Sequence, residues 1–173
     1  MSTEIEIFFK DPNDVPDFSN EFGTLCLLRG DINRCFDNSI IWPATMCILA
    51  GFDLLGKFHA GNDEQHHAGE RFRNFLNTFV LENPQEADVL YLLRNSMLHS
   101  FGLYDNRHHM VLDQNETTFI SITENTYRIS TSLLRRKFEN GIANFKCALA
   151  PGNNEAIARF NSMFGLYGSI RIG

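Results

Sequence analysis

At 173 residues with 43% apolar side chains, the chain can bury one substantial core, and its charged residues, 21% of the total, are spread as in a folded protein. Sixteen Phe against a single Trp make that core strongly aromatic. A formal net charge of −6 excludes wide electrostatic binding to duplex DNA, which needs a basic face.

Cys26, Cys35, Cys47 and Cys147 are scattered and form no C-x-x-C pair. Neither a disulfide framework nor a structural zinc site is expected; buried free thiols in a reducing cytosol are. The first residues carry no secretory apolar run, and no apolar run reaches the roughly 18 residues of a membrane span. Residues 40–55 come nearest, interrupted by Pro43, Gly51 and Asp53. A cytoplasmic protein without a membrane segment is expected.

In chain order, residues 4–10 alternate briefly and read as a short strand, and residues 11–23 read as a loop. Residues 31–59 are helical, with Ile41, Met46, Leu49, Phe52 and Leu55 near a 3.6 period. Pro43 divides them: a short helix stops near Trp42 and a second starts at Pro43, where a missing N–H is tolerated. Gly51 and Gly56 allow close helix approach. A helix over 64–81, capped by Asn62 or Asp63, carries Phe72, Phe75, Leu76 and Phe79 as its stripe. Another runs from Pro84 or Gln85 to about 101, with Gly102 as its stop. Residues 108–131 change to an alternating, β-branched pattern, which predicts a small antiparallel hairpin or meander. Ser130 or Thr131 caps a helix over 133–149, and a last helix over 154–164 precedes a glycine-rich tail. The chain therefore reads as a single mainly α domain over 1–173. It comprises an N-terminal strand and loop extension over 1–30 and a four- to five-helix bundle over 31–165 with a β insertion.

The helix over 85–101 holds the chemistry-bearing residues. Leu90, Leu93, Met97 and Phe101 share one face within about 80°, which is the core stripe. His99 lies near the opposite side, with Asn95 one turn below it at i, i+4. Arg94 flanks the stripe, offset about 140° from His99. Leu92 is also on the far face, so the β meander or another subunit is expected to cover it. A purely structural reading is open: Arg94 pairs with a carboxylate of a neighbouring helix, and His99 caps the last carbonyls of its own helix. Asp53, inside an apolar run, is a candidate to bind a neighbouring backbone or Arg94.

Arg94-Asn95-Ser96-Met97-Leu98-His99 resembles the R-x(4–6)-H motif of the HEPN superfamily, in the form with a polar residue after the arginine. The run around it, with residues 50–56 upstream, is similar to a pattern found in bacterial proteins of that kind. The resemblance implies an α-helical bundle of four or five helices, homodimeric, and a metal-independent endoribonuclease of toxin–antitoxin or defence systems with an antitoxin protein as partner. It implies Arg94, Asn95 and His99 as catalytic residues and no cofactor. Metal-free RNA cleavage needs a base for the ribose 2′-OH, an acid for the leaving oxygen and a cation for the phosphorane. Histidine supplies proton transfer and arginine a planar phosphate-binding fork, with Asn95 orienting His99 or the phosphate. One motif holds too few groups, and two copies across a two-fold axis would hold two of each. The rival reading is a non-catalytic helical interaction or dimerisation domain.

Arg71 and Arg73, and the run Arg135-Arg136-Lys137, are the basic clusters. A solvated helix face is the default for both, with Arg135, Arg136 and Lys137 the first choice for an RNA backbone contact. His66-His67 and His108-His109 lack the spacing of a metal site, so no metal is expected.

Overall fold

The computed structural model describes residues 3–14, 21–100, 102–103 and 108–171, without the side chains of Glu21, His99, Ser100 and Arg171. Its helices are α1 (Thr3–Phe8), α2 (Thr24–Asp37), α3 (Ile41–Ala60), α4 (Ala68–Phe79), α5 (Pro84–Ser100), α6 (Thr131–Ala148) and α7 (Asn154–Tyr167). The strands are β1 (Glu21–Gly23), β2 (His109–Asp113), β3 (Ile120–Thr123), β4 (Thr126–Ser130) and β5 (Ser169–Arg171). The fold is mainly α with a small β insert, as the patterning predicts.

α3 is the axis, packed against α2, α4, α5, α6 and α7. Nine of its residues are buried, among them Ile48, Leu49, Phe52, Leu55 and Phe58. Pro43 is the third residue of α3 and so stands in a first turn, where N–H groups have no intrahelical partner. The break with α2 falls earlier than expected, at Asn38-Ser39-Ile40. There Ser39 takes a left-handed φ of 58° and the Asn38 side chain donates to the Arg34 carbonyl. Gly51 is needed for close packing: a Cβ there would stand 2.6 Å from the Phe138 ring of α6. Contrary to the sequence reading, α3 is long and apolar enough to cross a membrane by length and composition, although it carries Asp53 and Lys57. About half of it is buried inside the bundle.

Two expectations at the N-terminus are overturned. Residues 3–8 are helix α1 rather than a strand, because Ile5, Phe8 and Phe9 at i, i+3 and i+4 bury one helical face. The Phe8 ring lies 4.3 Å from Phe58 and 5.4 Å from Phe160, so this segment builds the core and is not an extension of it. The bundle also begins at Thr24 rather than at 31. Leu25 and Cys26 are buried, and β1 pairs antiparallel with β5, a strand formed from the glycine-rich tail.

The insertion over 108–131 is corrected in topology. β3 and β4 form the expected antiparallel hairpin, with its turn at Glu124 (φ 51°), but β2 runs parallel to β4, giving the order β2-β4-β3. The connection over 114–119 makes this arrangement reachable. Six residues span far more than the roughly 10 Å of two strand spacings, so β4 can insert between β2 and β3. Ser130 N–H and Oγ–H donate back to the Phe119 and Glu116 carbonyls at 2.9 and 2.8 Å, and Ser130 Oγ also caps α6 by accepting from Leu133 N.

The aromatic core is real. Phe52 meets Phe138 edge-on at 5.2 Å, and Phe75, Phe79 and Phe145 cluster at 5.2–5.6 Å around His59. Burial in this cluster, with Arg159 nearby, pushes the His59 imidazole below its ordinary pKa.

Candidate functional site

α5 presents three of the four residues of the expected stripe: Leu90, Leu93 and Met97 are fully buried, joined by Ala87 and Ser96, while Phe101 lies outside the described residues. Arg94 leaves the helix at the margin of that stripe and reaches α3. Its Nε and Nη2 both donate to Asp53 Oδ2, at 2.8 and 2.6 Å, and its Nη1 donates to Asn95 Oδ1 at 3.0 Å. The two charged side chains are 17% and 20% exposed, between a surface pair and a fully buried one. Accepting from Arg94 turns the Asn95 carbonyl oxygen toward the guanidinium and its NH2 away from it. Arg94 and Asn95 are thus brought together. His99 occupies the position one turn further along α5; its side chain lies outside the described residues.

The Asp53–Arg94 pair forms part of the wall of an open cleft of about 870 Å³. α2 supplies an apolar side with Leu27 and Leu28, and α3 supplies Asp53, Leu54 and Lys57 from one face. Asp53 and Lys57 are at i, i+4, so both project the same way. Ile170 of β5, 43% exposed, also lines it.

A second charged corner stands beside the first. Lys57 Nζ lies 2.9 Å from Asp63 Oδ1 and 4.3 Å from the centre of the Tyr167 ring. Tyr167 O–H donates to Asp63 Oδ2. Arg71, only 7% exposed, donates to Asn62 Oδ1 and to the Glu64 carbonyl, and its Nη2 lies 3.6 Å from Asp63. The Tyr167 hydrogen bond, then Lys57, holds the Asp63 carboxyl below the ordinary carboxylate range, and the same bond raises the Tyr167 phenol.

This corner went unread in the sequence as a site. Asp53-x-x-x-Lys57 on one helical face was a legible signal, whereas the Asp63–Tyr167 contact, across 104 residues, had none. The solvated face expected for Arg71 and Arg73 is corrected at Arg71. Arg71 is buried because the 61–67 connection folds over it and offers carbonyl and amide oxygens. Arg73 pairs with Asp88 at 2.6 Å and lies over the Tyr91 ring at 4.1 Å. α4 starts at Ala68 rather than at 64, its N-cap is His67, and neither Asn62 nor Asp63 caps it; Asn62 Oδ1 accepts from Glu64 N within the connection.

The run Arg135-Arg136-Lys137 does not line the cleft. Successive helical positions point about 100° apart, which scatters the three. Arg135 donates to Asn33 at 2.8 Å and covers Phe36, Lys137 lies 4.8 Å over Phe119, and Arg136 is exposed. Among the histidines, His67 pairs with Glu70 at 3.0 Å and His108 stacks on Tyr127 at 4.5 Å. Among the described residues no group of three or more His, Cys, Asp or Glu converges as a metal site would. The cysteines are free thiols; Cys26 is buried, Cys35 and Cys47 are half-buried, and Cys147 is exposed, against the expectation that all four are buried. No family model, no curated protein and no solved structure matches the chain.

Proposed function

We propose that the protein is a HEPN-like, metal-independent endoribonuclease that acts as a homodimer, with Arg94, Asn95 and His99 as its catalytic residues. The observation that carries this reading is the linkage of Arg94 to both Asp53 and Asn95 on the wall of an open cleft. A guanidinium pre-aimed by a carboxylate and an amide loses little freedom when it meets a phosphate, and its donors match phosphate oxygens as well as they match Asp53.

In the proposed reaction the ribose 2′-OH attacks phosphorus and the P–O5′ bond breaks. A cyclic 2′,3′-phosphate and a free 5′-OH result. One His99 takes the 2′-OH proton, and the partner copy's histidine protonates the leaving O5′, which is why two copies are required. Arg94 stabilises the charge that builds on the phosphorane oxygens. A cytoplasmic toxin–antitoxin or defence setting is part of the proposal.

The test is cleavage of varied RNAs in EDTA by the wild type and by His99→Ala. Loss of cleavage in the variant, with its fold intact by circular dichroism, supports the assignment. Equal activity in both proteins, or none in either, ends it. A second reading has its own observation: Arg94–Asp53 already ties α5 to α3, as a structural ion pair would. In that case the protein is a non-catalytic helical interaction domain, and Arg94→Ala changes stability alone.

A further inference from the structure

We infer that Lys57 is a second phosphate contact in the same cleft, one turn along α3 from the Asp53–Arg94 pair; this rests on the ribonuclease reading above. Asp53 and Lys57 lie four residues apart on one face of α3, a rise of about 6 Å. The Arg94 guanidinium at Asp53 and the Lys57 ammonium therefore follow one another along a single wall. Leu27, Leu28 and Leu54 give the cleft an apolar surface beside them. Cations that track a backbone, next to an apolar surface for sugar and base, are how proteins hold single strands.

The Lys57 ammonium is pinned rather than waving. It sits between the Asp63 carboxylate at 2.9 Å and the face of Tyr167 at 4.3 Å, with its side chain 26% exposed. An ammonium has three N–H donors, so one can remain on Asp63 while another meets a phosphate oxygen. Arg71, in the same corner, is enclosed with its side chain 8% exposed and is bonded to a backbone carbonyl, so Lys57, at 26%, is the more accessible cation of that corner. The carboxylates of the cleft do not present a bare negative wall. Asp31 is paired with Arg34, Asp53 with Arg94, and Asp63 with Lys57.

The measurement is binding of a single-stranded RNA oligonucleotide to the full-length His99→Ala protein over a range of salt, with and without Lys57→Met. Removing one phosphate contact weakens binding and makes the slope of log K against log salt shallower by about 0.7. Lys57→Arg keeps the slope. A purely structural lysine would alter the unfolding midpoint and leave the slope unmoved. Asp63→Asn is the companion variant: it loosens the ammonium without deleting it, and tighter RNA binding is expected. Binding by the parent with slope and affinity unchanged in Lys57→Met overturns the assignment of Lys57 and leaves the nuclease reading standing. Unchanged or weaker binding in Asp63→Asn also counts against Lys57. No RNA binding by the parent overturns both.

Discussion

Arg71 and Arg94 border the same cleft and are anchored in opposite ways. The acceptors of Arg71, Asn62 Oδ1 and the Glu64 carbonyl, lie within nine residues of it, with Asp63 beside them. It ties down the connection between α3 and α4. Arg94 instead reaches 41 residues back to Asp53, and two of its nitrogens share one carboxylate oxygen. A backbone carbonyl cannot be exchanged for a ligand without undoing the loop, whereas a carboxylate can yield to a phosphate of like geometry. Burial alone would make both arginines structural. The nature of the acceptor separates them.

The largest effect that sharpens this contrast is on cleavage. On the proposed ribonuclease reading, Arg94→Lys keeps the charge but loses the planar fork, so RNA cleavage is expected to fall by about 100- to 1000-fold while the protein stays folded. A loss of less than about threefold, measured under single-turnover conditions, would place Arg94 with Arg71 as architecture. The next effect is on stability. Arg71→Ala leaves Asp63, Asn62 and a carbonyl short of a partner and destabilises the fold by about 3 kcal/mol in denaturant unfolding. It leaves the salt dependence of RNA binding unchanged. If it abolished that dependence instead, Arg71 would belong with the binding residues.

The smallest effect is on pH dependence. Asp63 has a folded pKa below its unfolded value of 3.8. The unfolded chain therefore takes up the proton first as pH falls. The stabilisation is fully present above the unfolded pKa and is lost as pH drops through the folded one. Asp63→Asn removes this part of the acid limb, so its unfolding free energy changes less than that of the wild type between about pH 5 and pH 2. An identical acid limb in the two proteins would mean that the Tyr167 and Lys57 contacts carry no weight in solution.

Much of the frame was legible in the residues. The stripe of Leu90, Leu93 and Met97, the placement of Pro43 in a first turn, the close approach at Gly51 and the Ser130 cap all follow from local rules. α1 is not legible as a helix, because Ile5 and Ile7 mimic alternation over too few residues, while Phe8 and Phe9 complete a helical face only once Phe58 and Phe160 are there to receive them. The parallel pairing of β2 with β4 was illegible for a different reason. A six-residue connection permits either arrangement, and the contacts that pin one of them join Ser130, at the end of β4, to Glu116 and Phe119 in that connection, 14 and 11 residues earlier in the chain.

By itself the sequence determined the helical class, the position and core face of α5, and the adjacency of Arg94 to Asn95, because each depends on residues within a turn or two of one another. Only the tertiary structure decided what those residues meet. It brought Asp53 to Arg94 across 41 residues, and Tyr167 to Asp63 across 104. It also drew Arg71 out of solvent and turned Arg135 and Lys137 onto the aromatic rings of neighbouring elements. Helical periodicity says which way a side chain points. Which charge waits there depends on how α3 is surrounded, and that is settled by packing of the whole core.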